Sequence, residues 1–333
     1  MNDKIYIIAE AGVNHNGDLN TAFKLIDEAK NAGADAVKFQ TFKAESIAGV
    51  SAKKAGYQEK LTGEGQSQLE MLKKLELRFE DFKKLKAYAD KLGIDFLSTA
   101  FDIESAEFLH SLKLKCWKVP SGEITNLPLL EKIASYREKT LISTGMANMD
   151  EVKAAVSVFE NLGSNDLILL HCTTEYPAPV SEVNLNAMLT IRRETGYRTG
   201  YSDHTEGIHI PIAAAALGAV AIEKHFTLDK NMPGPDHKAS LEPEELRDMV
   251  KAIRDIELAL GSGEKEPAEA ELKNKIAVRK SIVALKKIRK GERFTTGNIT
   301  AKRPGNGISP MKWHEVIGQE SGYDFDEDEL IRL

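Results

Sequence analysis

Two histidines stand near the ends of consecutive strand-like segments. His204 lies in Thr199-Gly200-Tyr201-Ser202-Asp203-His204-Thr205, and His225 in Ala219-Val220-Ala221-Ile222-Glu223-Lys224-His225-Phe226. The small apolar stretch from Ile208 to Leu217 between them reads as a helix. Strand, helix and strand make a βαβ unit, which sets the two strands parallel and brings both imidazoles to one C-terminal edge. Such a pair, flanked by Asp203, Glu223, Asp236 and His237, could hold a divalent cation. No thiolate ligand is evident, so a borderline-hard ion such as Mn²⁺, Co²⁺ or Mg²⁺ is expected. The plain alternative is a pair of hydrogen-bonded core histidines. The prolines and glycine of Met232-Pro233-Gly234-Pro235-Asp236-His237 would fix Asp236 and His237 over the same edge.

A second group of residues suits an anion. Lys38 and Gln40 are two apart in a strand-like run and share a face. Lys118 precedes Pro120-Ser121-Gly122-Glu123, where the chain bends and Ser121 offers a hydroxyl beside the lysine. Ser143-Thr144-Gly145-Met146 is a hydroxyl-rich turn entering a helix, where free N–H groups favour negative charge. Inward-facing lysines are costly unless they meet a negative partner. A phosphorylated, carboxylated ligand would supply one; pairing with Glu10 or Glu123 for stability alone is the alternative. Thr99 with Asp102, Tyr176 before Pro177, and Asn14-His15 fall at further strand ends or turns, where Tyr176 and His15 could meet a polyhydroxylated ligand.

These residues need a scaffold that gathers strand ends. From the N-terminus to about Gly261 the chain alternates β-rich runs with amphipathic helices. Eight runs read as strands: Lys4–Ala9, Ala36–Gln40, Ile94–Thr99, Cys116–Val119, Thr140–Thr144, Leu167–Cys172, Thr199–Ser202 and Val220–His225. Most of the helices between them end in Gly, as in Ala32-Gly33-Ala34-Asp35. Eight βα repeats in about 260 residues match a (β/α)₈ TIM barrel, an α/β fold whose chemistry gathers at the C-terminal strand ends. A doubly wound sheet is the rival, but no GxGxxG follows the first strand. Leu69–Leu77 reads as an ordinary amphipathic helix. The expected organisation is a barrel over residues 1–260, a linker over 261–278, and a small β-rich domain over 279–333.

Composition sets outer bounds. A net charge of −6 gives no nucleic-acid or anionic-membrane footprint. The two cysteines, Cys116 and Cys172, lack CxxC spacing and read as buried thiols of a reducing cytoplasm. No apolar run is long enough for a membrane span.

The ordered motifs resemble the bacterial sialic acid synthases over essentially the whole length. They run from Ala9-Glu10-Ala11-Gly12-Val13-Asn14-His15-Asn16-Gly17 and Val37-Lys38-Phe39-Gln40-Thr41-Phe42 through Ser98-Thr99-Ala100-Phe101-Asp102, Lys118-Val119-Pro120-Ser121-Gly122-Glu123 and Ser143-Thr144-Gly145-Met146. They continue with Ser202-Asp203-His204, Glu223-Lys224-His225-Phe226-Thr227 and Gly234-Pro235-Asp236-His237, then Lys302-Arg303-Pro304-Gly305-Asn306-Gly307 in the tail. The resemblance implies a barrel followed by an antifreeze-like (SAF, β-clip) domain, in a domain-swapped homodimer. It implies condensation of phosphoenolpyruvate with N-acetylmannosamine and water to give N-acetylneuraminate and phosphate. The same chemistry on a 2,4-diacetamido hexose, giving legionaminic or pseudaminic acid, is the nearest alternative; a metal-dependent barrel hydrolase is one of another class. In the residues' implied roles, His204 and His225 hold Mn²⁺, while Lys38, Thr99, Lys118, Ser121 and Ser143 bind phosphoenolpyruvate. Glu10, Gln40, Tyr176 and Asp236 line the sugar site, and the partner subunit's Arg303 contacts the acetamido group. Glu10 or Glu123 would manage protons. Thr174 stands where some members carry Asn, which bears on the choice of sugar.

Overall fold

The computed structural model describes residues 4–49, 51–54, 56, 58–59 and 67–333. The chain forms two compact units, Met1–Ser262 and Gly263–Leu333. In the first, eight strands make one parallel sheet: β1 (Tyr6–Gly12), β2 (Ala36–Thr41), β3 (Asp95–Ala100), β4 (Trp117–Val119), β5 (Thr140–Ser143), β6 (Leu167–His171), β7 (Arg198–Asp203) and β8 (Ala221–His225). Their order is β3-β2-β1-β8-β7-β6-β5-β4, and β4 packs beside β3, so the sheet curls into a nearly closed barrel. Helices follow the strands, as the (β/α)₈ pattern requires.

Side-chain alternation builds the site. Side chains two apart on a strand share a face. Ile8, Ala36, Leu97, Cys116, Leu141, Ile168, Leu170 and Ala221 pack together as one apolar cluster within the barrel. Two residues further along the same faces stand Glu10, Lys38, Thr99, Lys118, Ser143 and Glu223, all buried. The intervening residues, including Ile7, Ala9, Val37, Phe96, Trp117, Ile142, Leu169 and Ile222, face the helices and form the larger core. Burying both faces explains why strands such as β6, Leu167–His171, read as apolar runs interrupted near their C-termini.

The helices follow local signals. Asp18 caps Leu19–Asn31 by accepting from the Thr21 amide, and that helix buries Ala22, Leu25, Ile26 and Ala29 on one face. Among the described residues, no helix is long and apolar enough to cross a membrane.

In the second unit, Ser281–Ala284 (β9) pairs antiparallel with Ile299–Lys302 (β10). A small core of Ile282, Ile288, Phe294, Ile299, Val316, Phe325 and Ile331 backs them. The segment 261–278, expected as a linker, carries a regular helix over Glu269–Val278 with no buried residue. Its Glu, Ala, Leu and Lys are strong helix formers, and the Glu271 carboxylate accepts from the Ala268 amide at its start.

Candidate active site

One cavity opens where the strand ends converge. Glu10, Lys38, Gln40, Thr99, Lys118, Ser121, Ser143, Tyr176, His204, His225 and Asp236 all line it, with Ser202, Thr174 and Glu223. Glu10, Lys38, Thr99, Lys118, Ser143 and Glu223 reach it by the two-residue step that put apolar side chains below, while Ser121, Tyr176, His204 and Asp236 come from the segments beyond the strands.

Two lysines face two carboxylates on the cavity floor. Lys38 Nζ lies 2.7 Å from Glu10 Oε2 and 3.6 Å from Glu223 Oε2, and donates to Thr99 Oγ1 at 3.1 Å. Lys118 Nζ donates to Ser143 Oγ at 2.7 Å and lies 3.4 Å from Glu223 Oε1, which accepts from Ser202 Oγ. All four charged side chains are nearly inaccessible, so each state depends on its neighbours. Burial opposes charge on Lys38, but Glu10 and Glu223 prevail and raise its pKa, so it stays cationic. Burial, reinforced by Lys38, lowers Lys118 against the pull of Glu223. Burial pushes Glu10 up to about 7; Lys38 pulls it back and Glu223 adds to the rise. Burial would raise Glu223 too, yet Lys118, Lys38 and the Ser202 hydroxyl hold it well below the carboxylate range. The floor therefore has one firmly ionised carboxylate and one poised to exchange a proton near neutrality.

A hydroxyl turn adjoins Lys118. Ser121 Oγ accepts from the Gly145 amide at 3.0 Å and sits 3.0 Å from Cys172 Sγ. A β-carbon at Gly145 would fall 2.2 Å from Thr174 Oγ1 and 2.8 Å from Ser121 Oγ, so only glycine lets these loops approach.

Across the cavity the imidazole rings of His204 and His225 are 5.7 Å apart, and the Tyr176 ring packs 4.2 Å from His204. The Nδ1 of His204 is 2.6 Å from the Thr173 carbonyl oxygen, so this nitrogen carries the proton and Nε2 keeps its lone pair. The Nδ1 of His225 is buried with no hydrogen-bond partner. Burial lowers His204 to about 4 and, with His204 and Lys38 beside it, takes His225 well below its ordinary value. Two neutral imidazoles with lone pairs to spare fit a divalent cation. Among the described residues no group of three or more His, Cys, Asp or Glu is arranged to hold a metal.

The remaining expected residues have partners of their own. Glu123 is not among the lining residues: it is half-buried in the turn after β4 and its carboxylate accepts from Asn126 Nδ2 at 2.5 Å. Burial raises its pKa, with Asn126 opposing. Asp203 adjoins His204 in sequence, but alternation sends it to the opposite face, where it pairs with fully buried Lys224 at 2.5 Å and accepts from Thr205. His237 bonds Thr227 Oγ1 at 2.6 Å and Asn16 Oδ1 at 3.3 Å. His15 Nδ1 accepts from the Gly17 amide. Arg303 lies in the second unit, where its Nε donates to the Val278 carbonyl. Glu223 was seen only as a flank of the histidines. Its position two residues before His225 was the available sign that it faces the cavity.

The NeuB family matches residues 25–265, and the SAF domain matches residues 279–333. An N,N'-diacetyllegionaminic acid synthase of Campylobacter jejuni subsp. jejuni serotype O:2 is 56% identical over 331 residues, covering 99% of both chains. A protein of the same name from Legionella pneumophila is 49% identical over 94% of this chain and 89% of its own. The N-acetylneuraminate-9-phosphate synthase of Homo sapiens is 37% identical over 98% of this chain and 91% of its own. A solved N-acetylneuraminic acid (sialic acid) synthetase of Leptospira borgpetersenii serovar Hardjo-bovis, in complex with citrate, is 37% identical. It superposes with a TM-score of 0.72 over 82% of this chain and 90% of its own. With the eight-stranded barrel, the small antiparallel unit and full-length identity of this order, the chain belongs to the NeuB family.

Proposed function

We propose that the cavity condenses phosphoenolpyruvate with a 2,4-diacetamido hexose and water, giving N,N'-diacetyllegionaminic acid and phosphate. The observation that carries the choice of acceptor is the grading of identity. It is 56% and 49% to the two N,N'-diacetyllegionaminic acid synthases, against 37% to the N-acetylneuraminate-9-phosphate synthase. This reverses the order expected from sequence motifs, which put N-acetylmannosamine first.

The floor suits the donor substrate. Lys38 and Lys118, with Thr99, Ser143 and Ser121, supply cations and hydroxyl donors for a phosphate and a carboxylate. Gln40, Tyr176 and Asp236 line the remainder and bind the sugar. A divalent cation on His204 and His225, Mn²⁺ or else Co²⁺ or Mg²⁺, would polarise the open-chain aldehyde as a Lewis acid. C3 of phosphoenolpyruvate forms the new bond to the aldehyde carbon, and Glu10 passes its proton to the aldehyde oxygen, which becomes a hydroxyl. Positive charge develops at C2, where the ionised Glu223 stabilises it. Water adds to C2 and gives one proton to Glu10; as the C2–O bond to phosphate breaks, the remaining proton passes from the C2 hydroxyl to the departing phosphate, leaving the keto acid. Lys38 and Lys118 stabilise the departing phosphate. In the proposed domain-swapped homodimer the partner subunit's Arg303 would complete the acetamido contacts.

Steady-state phosphate release tests this. Release should require phosphoenolpyruvate, the acceptor and a divalent cation together, with kcat/KM higher for the diacetamido hexose than for N-acetylmannosamine. Turnover of a single substrate by water would indicate a hydrolase instead, and a preference for N-acetylmannosamine would restore the sialic acid reading.

A further inference from the structure

The cavity has a side that this chemistry leaves unused. Between β2 and the helix Phe79–Leu92 lies a segment much longer than the usual βα connection. It carries a short helix, Gln68–Leu75, opened by a capping box in which Ser67 and Glu70 bond each other's backbone amides. Gln68, Met71, Leu72 and Leu75 are spaced i, i+3, i+4, i+7, so they form one face, and all four line the cavity. Glu70, Lys73 and Lys74 are exposed on the other face.

This helix is held firmly. Met71 and Leu75 pack with Val13 and Phe42 in a small separate core, against which Ile47, Leu72 and Phe101 rest half-buried. At its C-terminal end the Glu76 carboxylate accepts from the Ala44 amide at 2.9 Å and from Lys43 Nζ at 3.2 Å. The cavity is therefore two-sided, with ionic groups on its floor and a fixed aliphatic wall above one flank.

Phosphoenolpyruvate has no alkyl group to set against such a wall, so the wall addresses the acceptor. A sugar hydroxyl turned toward Leu72 and Met71 would lose its water without gaining a partner, whereas a methyl would gain contact. We infer that the helix Gln68–Leu75 determines acceptor choice, its aliphatic face receiving the methyl of the acceptor's second N-acetyl group. The inference rests on the proposed diacetamido acceptor and extends it to named residues. Leu72 is the point of contact best placed to act, because it is only partly covered by the protein.

The test measures kcat/KM for the 2,4-diacetamido hexose and for N-acetylmannosamine in wild type, Leu72→Asn, Leu72→Met and, on the exposed face, Lys74→Ala. Leu72→Asn should lower kcat/KM for the diacetamido sugar by about tenfold or more, the scale of one misplaced methyl contact. The value for N-acetylmannosamine and the KM for phosphoenolpyruvate should change far less. Leu72→Met should restore the preference, and Lys74→Ala should retain it. Parallel losses on both sugars, or a retained preference in Leu72→Asn, would overturn the inference while leaving the proposed reaction intact. A wild-type protein inactive on the diacetamido sugar would instead remove the reading beneath it. An unchanged KM for phosphoenolpyruvate excludes misfolding as the cause of a selective loss.

Discussion

Replacing Glu223 with Gln probes the charge balance of the site with little change in volume. In the wild type, two buried ammonium groups face two buried carboxylates: Glu223 lies 3.4 Å from Lys118 and 3.6 Å from Lys38, and Glu10 lies 2.7 Å from Lys38. Glu223→Gln leaves two cations against one anion in a site where all these side chains are under a tenth exposed. Removing one partner of a buried ion pair costs about 3–5 kcal/mol. Because the retained amide oxygen can still accept from Ser202, the lower end, about 3 kcal/mol, is expected. For a domain of this size that lowers the thermal midpoint by roughly 6–12 °C. Phosphoenolpyruvate, which brings the missing negative charge to the same lysines, should then raise the midpoint more in the variant than in the wild type. Differential scanning calorimetry with and without phosphoenolpyruvate reads both effects. A variant as stable as the wild type, or one in which the ligand shift is no larger, would refute the claim that these lysines form an anion site balanced by Glu223.

Three further outcomes follow from the same geometry. His204→Ala and His225→Ala should each abolish divalent-cation-dependent phosphate release while leaving phosphoenolpyruvate binding by calorimetry largely intact; loss of both would make the pair structural. Lys224→Met should cost about 3–5 kcal/mol in chemical denaturation by stranding Asp203, whereas the double variant Lys224→Met/Asp203→Leu should recover most of it. Burial raises Asp236 from 3.8 to about 6, so its contribution to stability is fully present below the unfolded value and is lost as pH rises through the folded one. Stability differences between wild type and Asp236→Asn should therefore drift by up to about 1.4 kcal/mol per pH unit between roughly pH 4 and pH 6, to the disadvantage of the wild type. A flat difference in urea titrations across that window would show that Asp236 is not held in an apolar setting.

The barrel was readable because its signal is repetitive. Each strand is a short β-rich run, each helix has an apolar stripe, and polar residues interrupt the runs only near strand ends. The same alternation that joins Lys38 to Gln40 also separates Asp203 from His204 and joins Glu223 to His225. Adjacency in sequence suggested that Asp203 and His237 belonged with the histidines, but neighbours along a strand point to opposite sides, which takes Asp203 to Lys224, and the turn holding His237 aims its ring at Thr227 and Asn16. Glu123 stands apart from the lining residues for a related reason: the bend after Pro120 carries Ser121 to the cavity and leaves Glu123 in the turn, bonded to Asn126. The helix Gln68–Leu75 was legible as amphipathic, but not the cavity its apolar face lines, because that depends on packing against Val13 and Phe42, which are distant in sequence. The helix Glu269–Val278 was obscured by the small and charged residues just before it, although its own residues favour helix.

The most direct measurement is an internal competition. The protein is given phosphoenolpyruvate, a divalent cation and equimolar 2,4-diacetamido hexose and N-acetylmannosamine, and the nine-carbon acids formed are resolved by mass spectrometry. Their ratio early in the reaction equals the ratio of the two kcat/KM values. The account predicts that the diacetyl acid predominates, with phosphate released in equal amount to total acid. Predominance of N-acetylneuraminate, or phosphate released without either acid, would contradict it.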